Sequence, residues 1–391
     1  MPALHALPRR SPAPAWCRAA LPLLAALCGG ALPAAPALAG TATGSWRLND
    51  TGLTRCVVFD PHAGYVFTPD CTGSGHDGEF GRDPARPNAR DGHAGFSFEK
   101  TGAHGEPLPR QAADWSCVRD RVTGLMWEVK TGDGGPRDAG RRFRNQGDGQ
   151  AGDASAYVAE ANAAALCGAT DWRLPTRREL ESLMDFSVPE GGPLLDRAWF
   201  PHSPPALHWT STPAEVHGGS PTYRWAVNFY SGGTLWYGGQ YGEFAVRLVR
   251  GGATPPQRRW QAAGAELRDR TTGLVWRRCA EGQAWTGSTC NGSPTTFLTI
   301  RDAVAHAQGQ ALSAGQAWRV PNIKELASLA EAGVQRPAID TAAFRGFQTE
   351  AYHSGTHWTE NPVYSWRINF ADGGMVRDHW GGKLLLVRDG D

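Results

Sequence analysis

Three sets of side chains in this sequence have types and spacing suited to chemistry. Trp236, Tyr237 and Tyr241 cluster after Ser231-Gly-Gly233, and Arg377, His379 and Trp380 hold the matching place further along. Read as hairpin tips, they put aromatic faces beside polar groups, an arrangement that suits sugars with their apolar C–H faces and hydroxyl edges. The competing reading packs each tip against its own domain. A second set is basic: Gly140-Arg-Arg-Phe-Arg-Asn145 places Arg141, Arg142 and Arg144 in one short run, with Arg137 just before it. A guanidinium binds sulfate through several donors at once, so the run has the form of a heparin-type cluster, against the plainer reading of a solvated loop. The third set is sulfur: Cys56, Cys71, Cys117, Cys167, Cys279 and Cys290.

Other groups read as structure. Trp127, Trp172, Trp209 and Trp225 recur as Trp276, Trp318, Trp358 and Trp366, at strand and pre-helix positions where aromatic burial is expected. Asn228 and Asn369 stand beside two of them and are expected to satisfy backbone groups. Glu179 and Glu325 follow Thr176 and Asn322 by three residues, the spacing of a capping box, so they are read as caps first and not as catalytic acids, a role that would need a second carboxylate beside them. His353-x3-His357 with Glu360 has zinc-like spacing, but its surroundings read as loop and strand, so no metal is expected. Gly-x-Ser-x-Gly and phosphate-loop patterns are absent. Catalytic residues and cofactors are therefore not expected.

The elements that must hold these residues belong to a chain of 391 residues, enough for two or three domains of the usual size. Charged residues are only 20%, against 41% hydrophobic, which excludes a disordered chain. With 49 Gly, 28 Pro and 16 Trp, the composition describes short strands and tight turns around aromatic anchors. Arg9, Arg10 and Arg18 precede an apolar stretch, Ala19 to Leu32, that ends near Ala37-Leu-Ala39, which reads as a signal peptide over residues 1–39. The stretch is broken by Pro22 and Gly29-Gly30 and is too short for a span, so export without a membrane anchor is expected, to the periplasm or the cell surface. Removing those three arginines takes the formal charge from +1 to −2, which leaves no field to recruit nucleic acid. The six cysteines that remain favour disulfides in an oxidising compartment. Spacing alone leaves their connectivity open; pairing of neighbours, Cys56–Cys71, Cys117–Cys167 and Cys279–Cys290, is the expectation.

Self-similarity organises the rest. Asp120-Arg-Val-Thr-Gly-Leu-Met-Trp127 recurs as Asp269-Arg-Thr-Thr-Gly-Leu-Val-Trp276, and Asp171-Trp-Arg-Leu-Pro-Thr-Arg-Arg-Glu-Leu180 as Ala317-Trp-Arg-Val-Pro-Asn-Ile-Lys-Glu-Leu326. Tyr223-Arg-Trp-Ala-Val-Asn-Phe229 returns as Tyr364-Ser-Trp-Arg-Ile-Asn-Phe370, and Leu248-Val-Arg250 as Leu386-Val-Arg388. Repeats of this size are tandem domains, not a solenoid. The pattern predicts helices over 154–166 and 300–312 and after each capping box, then hairpins through 224–233 and 369–374 with final strands over 244–249 and 384–387 pairing back. The fold class is α+β: two tandem domains, each with hairpin-rich antiparallel sheets and two short helices, plus a loop-rich N-terminal extension. The boundaries read as extension 40–113, first domain 114–250, linker 251–260 and second domain 261–391. The extension is expected to pack on the first repeat.

At Thr123-Gly-Leu-Met-Trp127, Asp171-Trp-Arg-Leu-Pro-Thr176, Trp209-Thr-Ser-Thr212 and Trp225-Ala-Val-Asn-Phe229, the chain resembles the Lcl C-terminal domain family, a bacterial domain named from a collagen-like adhesin. Trp46-Arg-Leu-Asn-Asp50 and Gly81-Arg-Asp83 are similar to the lead-in of exported members. The resemblance implies a C-type-lectin-like fold, related to that of formylglycine-generating enzymes, and a ligand such as a sulfated glycosaminoglycan. The sugar–calcium signatures Glu-Pro-Asn and Gln-Pro-Asp of C-type lectins are missing. The expected function is an exported, non-enzymatic recognition protein that binds a glycan or another cell-surface polymer, as in adhesion. Two alternatives stand beside it. A formylglycine-generating-type oxidase would use Cys279 and Cys290 as reactive thiols, and a structural component of a surface or secreted assembly would bind a protein partner.

Overall fold

The computed structural model describes residues 48–87, 90–215, 222–252, 258–331 and 333–390. The expected signal peptide, residues 1–39, lies outside them. In the extension, the Asp60 carboxylate accepts from the N–H groups of His62 (2.7 Å) and Ala63 (2.9 Å). That Asx geometry turns strand β1 (Cys56–Asp60) back into its antiparallel partner β2 (Gly64–Thr68). A Cys56–Cys71 disulfide staples the hairpin. A one-turn helix α1 (Arg82–Ala85) and strand β3 (Phe98–Thr101) complete the extension.

In the first copy, β4 (Cys117–Asp120) and β5 (Leu125–Glu128) are joined by the Asp-Arg-Val-Thr-Gly motif. Asp120 accepts from the N–H groups of Val122 (2.9 Å) and Thr123 (3.2 Å), and Gly124 takes φ +76°, a conformation that only glycine adopts cheaply. The next element, helix α2 (Ala154–Ala163), has Asp153 as N-cap and lends Asn162, whose side chain holds both main-chain groups of the buried Trp172 (2.7 and 2.9 Å). Helix α3 (Arg177–Ser182) starts at Thr176 with the expected capping box. Its Glu179 also receives a two-point fork from Arg173 (2.6 and 2.8 Å), which explains the Trp-Arg-Leu-Pro spacing: the arginine locks the capping acid in place. Strands β6 (Leu207–Pro213), β7 (Tyr223–Asn228) and β8 (Thr234–Gly238) form a three-stranded antiparallel sheet, and β9 (Val249–Gly251) ends the copy.

The second copy follows the same plan. Its members are β10 (Trp260–Ala263), β11 (Glu266–Asp269), β12 (Val275–Arg277), a small hairpin of β13 (Ala284–Trp285) and β14 (Cys290–Asn291), α4 (Ile300–Ala314), α5 (Ile323–Ala327), β15 (Ala351–Trp358), β16 (Asn361–Asn369), β17 (Gly374–Asp378) and β18 (Val387–Arg388). Arg319 forks onto the capping acid Glu325 (2.7 Å twice) as Arg173 does onto Glu179. The chain is thus, among the described residues, mostly antiparallel sheet with five short α-helices. Among the described residues, no helix is long and apolar enough to cross a membrane. Cys117–Cys167 and Cys279–Cys290 are also bonded, and three disulfides fit an exported protein.

Two expectations are corrected. The final strands pair back onto the hairpin sheets only in part: Ala245 bridges His208 of β6, while the later residues turn to other partners. Val249 faces Trp127 and Val387 faces Trp276, giving four-stranded sheets ordered β3-β4-β5-β9 and β10-β11-β12-β18. The first of these draws β3 from upstream of residue 114. The extension, moreover, does not pack on the first copy alone: β3 and the segments around Thr51 and His93 do so, with the Phe186 N–H donating to the Thr51 carbonyl (2.8 Å) and the His93 N–H to Asp196 (3.1 Å), while the β1–β2 hairpin covers the second copy. Phe67 lies 5.2 Å from the His357 ring, Arg301 sits 4.9 Å over Phe59, and the Gln308 amide donates to the Gly73 carbonyl (2.9 Å).

The two copies meet through their hairpin turns. Gly232 sits against the Trp366 ring and Gly374 against Trp225, so each turn rests on the other copy's tryptophan. The Met375 N–H donates to the Thr234 hydroxyl (2.7 Å) across this seam. One hydrophobic core runs through both copies and the extension, from Leu53 and Phe98 through Trp127, Leu180 and Phe229 to Trp276, Trp366 and Val387. Trp127, Trp172, Trp209, Trp276 and Trp366 are fully buried, which is the packing role expected of them.

Candidate functional site

The aromatic set of the second copy is built on a strand and the turn that follows it. Arg377 lies on β17, and His379 and Trp380 come just after that strand ends. Trp380 stacks on His379 (4.9 Å, 25°), His379 meets Tyr364 edge-on (4.9 Å), Tyr364 meets Trp358 edge-on (5.8 Å), and Arg377 covers Trp358 (3.9 Å). Trp380 is 68% exposed. Beneath this row the buried Arg367 donates to the carbonyls of Trp380 and Gly381 (2.8 Å each) and pairs with Asp378, whose other contact is the Trp380 N–H (3.1 Å). The turn that carries the exposed indole is therefore pinned from inside. Arg377 itself is paired with Glu190 of the first copy (2.9 Å), so little free positive charge stands beside the row.

The first copy presents a sparser face. Trp236, 39% exposed, meets Tyr223 edge-on (5.6 Å), and Tyr241, 81% exposed, packs only beside Gly238. Tyr237 does not join them. Successive residues of a strand face opposite sides, and on β8 this turns Tyr237 inward onto Phe244 (4.8 Å) and the second core of this copy. None of the six residues is at a hairpin tip as expected: the turns at 229–233 and 370–374 are the ones folded into the seam. Asn228 and Asn369 shape those turns, accepting from the N–H groups of Tyr230 (2.9 Å) and Ala371 (3.0 Å).

The arginine run is not one open cluster. Arg141 pairs with Glu160 (3.1 Å), donates to the Pro136 carbonyl and lies over Phe143 and Tyr157. Arg142 is exposed and bonds the carbonyls of Ala139 (2.8 Å) and Arg141 (3.0 Å), while Arg144 reaches the Ala151 carbonyl (3.4 Å). Cys279 and Cys290 are buried and joined to each other.

Trp358, Tyr364 and Arg367 were not singled out as site residues by sequence. The repeated His-Trp-Thr pairs Trp358 with the fully buried Trp209, but the strands superpose differently: Trp209 faces Ala226, the residue facing the equivalent Arg367 is His353, and after the register shift that both strands share Trp358 stands half-buried at the end of β15. His353, His357 and Glu360 do not converge on a metal: His353 bonds the Phe297 carbonyl (3.0 Å), His357 is buried among Phe67 and His76, and exposed Glu360 accepts from the Glu190 N–H (2.7 Å). Burial pushes the His357 imidazole down to about 3 and that of His76 to about 4.

A different group could hold a cation. Asp50, Asp77 and Asp83 of the extension offer one carboxylate oxygen each, all within 4.8 Å of one another and all buried. Burial first, with repulsion from Glu325 on Asp50 and from neighbouring aspartates on Asp77 and Asp83, pushes all three carboxyls above their ordinary range. Nothing in their spacing announces this, because they lie 27 and 6 residues apart along the chain and meet around Thr51 only in the folded extension.

The family model of the Lcl C-terminal domain matches residues 116–250 and again residues 265–388. No curated protein matches the chain.

Proposed function

Since the chain belongs to the Lcl C-terminal domain family, with two tandem copies of the domain, we propose that it is an exported, non-enzymatic recognition protein with lectin-like domains, binding a glycan or similar polymer at the periplasmic or cell surface. The observation that carries this reading is the pinned aromatic row ending in Trp380. An exposed indole stacked on an imidazole, with the turn beneath it held by a buried arginine, is a flat apolar platform that loses little freedom when a sugar ring settles on it. Trp236 and Tyr241 would form a weaker second platform on the first copy. The charge beside the main platform is neutralised by Glu190, which favours stacking on the sugar face over capture of sulfate.

A glycan array with residues 40–391, including sulfated glycosaminoglycans, run at low and about 150 mM salt, tests this. Saturable binding that survives salt and is lost in Trp380→Ala, with a smaller loss in Trp236→Ala and unchanged stability in both, is the expected result. Binding that disappears with salt and with Arg142→Ala would move the site to the arginine loop. No binding to any glycan would replace this reading with a protein partner in a surface assembly.

A further inference from the structure

We propose that Asp50, Asp77 and Asp83 hold a hard divalent cation, calcium by the buried all-oxygen ligand set, which clasps the N-terminal extension onto the second copy. The three carboxylates come from one polypeptide stretch and face the second copy's Asn322, Lys324 and Thr356. Asn322 donates its amide to Asp50 Oδ1 (3.0 Å), Lys324 Nζ donates to the Asp50 carbonyl (2.6 Å), and the Thr356 hydroxyl donates to Asp77 Oδ2 (2.6 Å). This is therefore the place where a bound ion would couple the two parts of the molecule.

The donors present do not match the acceptors. Asp50 is well supplied, with the N–H groups of Thr51 (3.0 Å), Arg82 (2.5 Å) and Asp83 (3.1 Å) added to Asn322, a set that favours an ionised carboxylate. Asp83 is not, whereas Asp77 has the Thr356 hydroxyl besides. The Thr51 hydroxyl lies 2.8 Å from Asp77 Oδ2 and 3.0 Å from Asp83 Oδ2, and its single proton serves only one of them. The buried ammonium of Lys324 spends its bonds on the main-chain oxygens of Asp50 and Ser182 (3.0 Å).

A second observation points the same way. Asp83 is fully buried, yet its Oδ1, on the carboxylate that meets the other two, has no hydrogen-bond partner. An unpaired acceptor in a dry site is what a cation relieves. The backbone leaves room for these oxygens. A Cβ on Gly95 would stand 2.6 Å from Asp83 Oδ1, and one on Gly81 would strike the Asp50 carboxylate.

The chemistry of the ligands selects the ion. Carboxylate and hydroxyl oxygens suit calcium and magnesium, while zinc prefers nitrogen and sulfur. Magnesium keeps several waters and demands near-ideal octahedral geometry, so a buried set of protein oxygens favours calcium. The Thr51 and Thr356 hydroxyls add neutral oxygens. A cleft of about 490 Å³ lined by Asn49, Asp50, Gly81, Arg82, Asn322 and Glu325 gives a route in from solvent.

The test uses residues 40–391 stripped with EDTA and desalted. Native mass spectrometry with added CaCl2 is expected to show one retained calcium per chain, and CaCl2 at about 100-fold over Kd to raise Tm by roughly 3–5 °C, more than MgCl2 does. Asp83→Asn is expected to keep the fold, lose the retained calcium and weaken the Tm response at least about tenfold in CaCl2 concentration; Asp77→Asn gives the same readout should that variant fail to fold. Wild-type protein that retains no calcium, or variants that respond to CaCl2 as the wild type does, would overturn the proposal.

Discussion

Replacing Gly232 by alanine tests the seam between the copies. Gly232 has φ +85°, and a Cβ there would lie 2.8 Å from Trp366 Cζ2, closer still to the ring edge, and 3.3 Å from Leu194. Two costs follow. A non-glycine residue held in the left-handed region costs about 1–2 kcal/mol, and forcing a methyl into a packed core costs about 1–3 kcal/mol more. Trp366 cannot swing away, because its other face is held by Phe186 (5.2 Å, edge-on). Gly273→Ala isolates the first cost: its φ of +83° is nearly the same, but its Cβ would meet nothing within 4 Å. Urea unfolding of wild type and both variants should therefore give a loss of about 1–2 kcal/mol for Gly273→Ala and about 2–5 kcal/mol for Gly232→Ala. The double variant Gly232→Ala with Trp366→Phe should lose less than the sum of its singles, since the smaller ring vacates the contact. Equal losses in the two glycine variants would refute the packing of one copy's turn on the other's tryptophan.

Two further perturbations have expected outcomes. Burial pushes the His208 imidazole down to about 3, so below about pH 6.5 the unfolded chain takes up a proton that the folded chain refuses. Stability from this residue is full above pH 6.5 and falls by about 1.4 kcal/mol per pH unit below it, down to the folded value, so the wild type should lose about 2 kcal/mol more than His208→Phe between pH 7 and pH 5 in urea titrations. Replacing both Cys279 and Cys290 by serine opens a loop of sequence separation 11 and should cost about 3 kcal/mol by the same assay; a loss under about 1 kcal/mol would mean that the β13–β14 hairpin is ordered without its bridge.

The sequence was legible where structure is local. Asp120 and Gly124, Arg173 and Glu179, and Thr176 and Asn322 each act within a few residues of themselves, and their repetition marks them as scaffold. Disulfide partners followed from proximity along the chain. What failed was long-range or depended on strand parity. Tyr237 was grouped with Trp236 although adjacent strand residues face opposite ways, so that error was avoidable from period alone. The placement of Trp358 was not, because the repeated His-Trp-Thr aligns it with Trp209 whereas the strand registers put His353 in that place. The aspartate group was invisible for the same kind of reason: its members are separated by a hairpin and a helix, and only the second copy brings them under cover.

The duplication keeps its scaffold and varies what stands on one strand. The cross-strand partner of the seam tryptophan is Trp236 in the first copy and Arg377 in the second, at equivalent positions of β8 and β17. Next to that tryptophan stands Ala226 in one copy and Arg367 in the other. A guanidinium at a position otherwise filled by a buried methyl is costly to desolvate and needs partners to offset that cost. The two terminal nitrogens of Arg367 have them in Asp378 and the carbonyls of Trp380 and Gly381, at the end of β17 and on the turn that carries the exposed indole, while its buried Nε has none. The core of the copy does not need this arginine, since the first copy is closed by alanine. Its partners lie on that turn and the strand end leading into it, so its effect falls on the position of Trp380, which is why binding is expected to depend more on this copy than on the other.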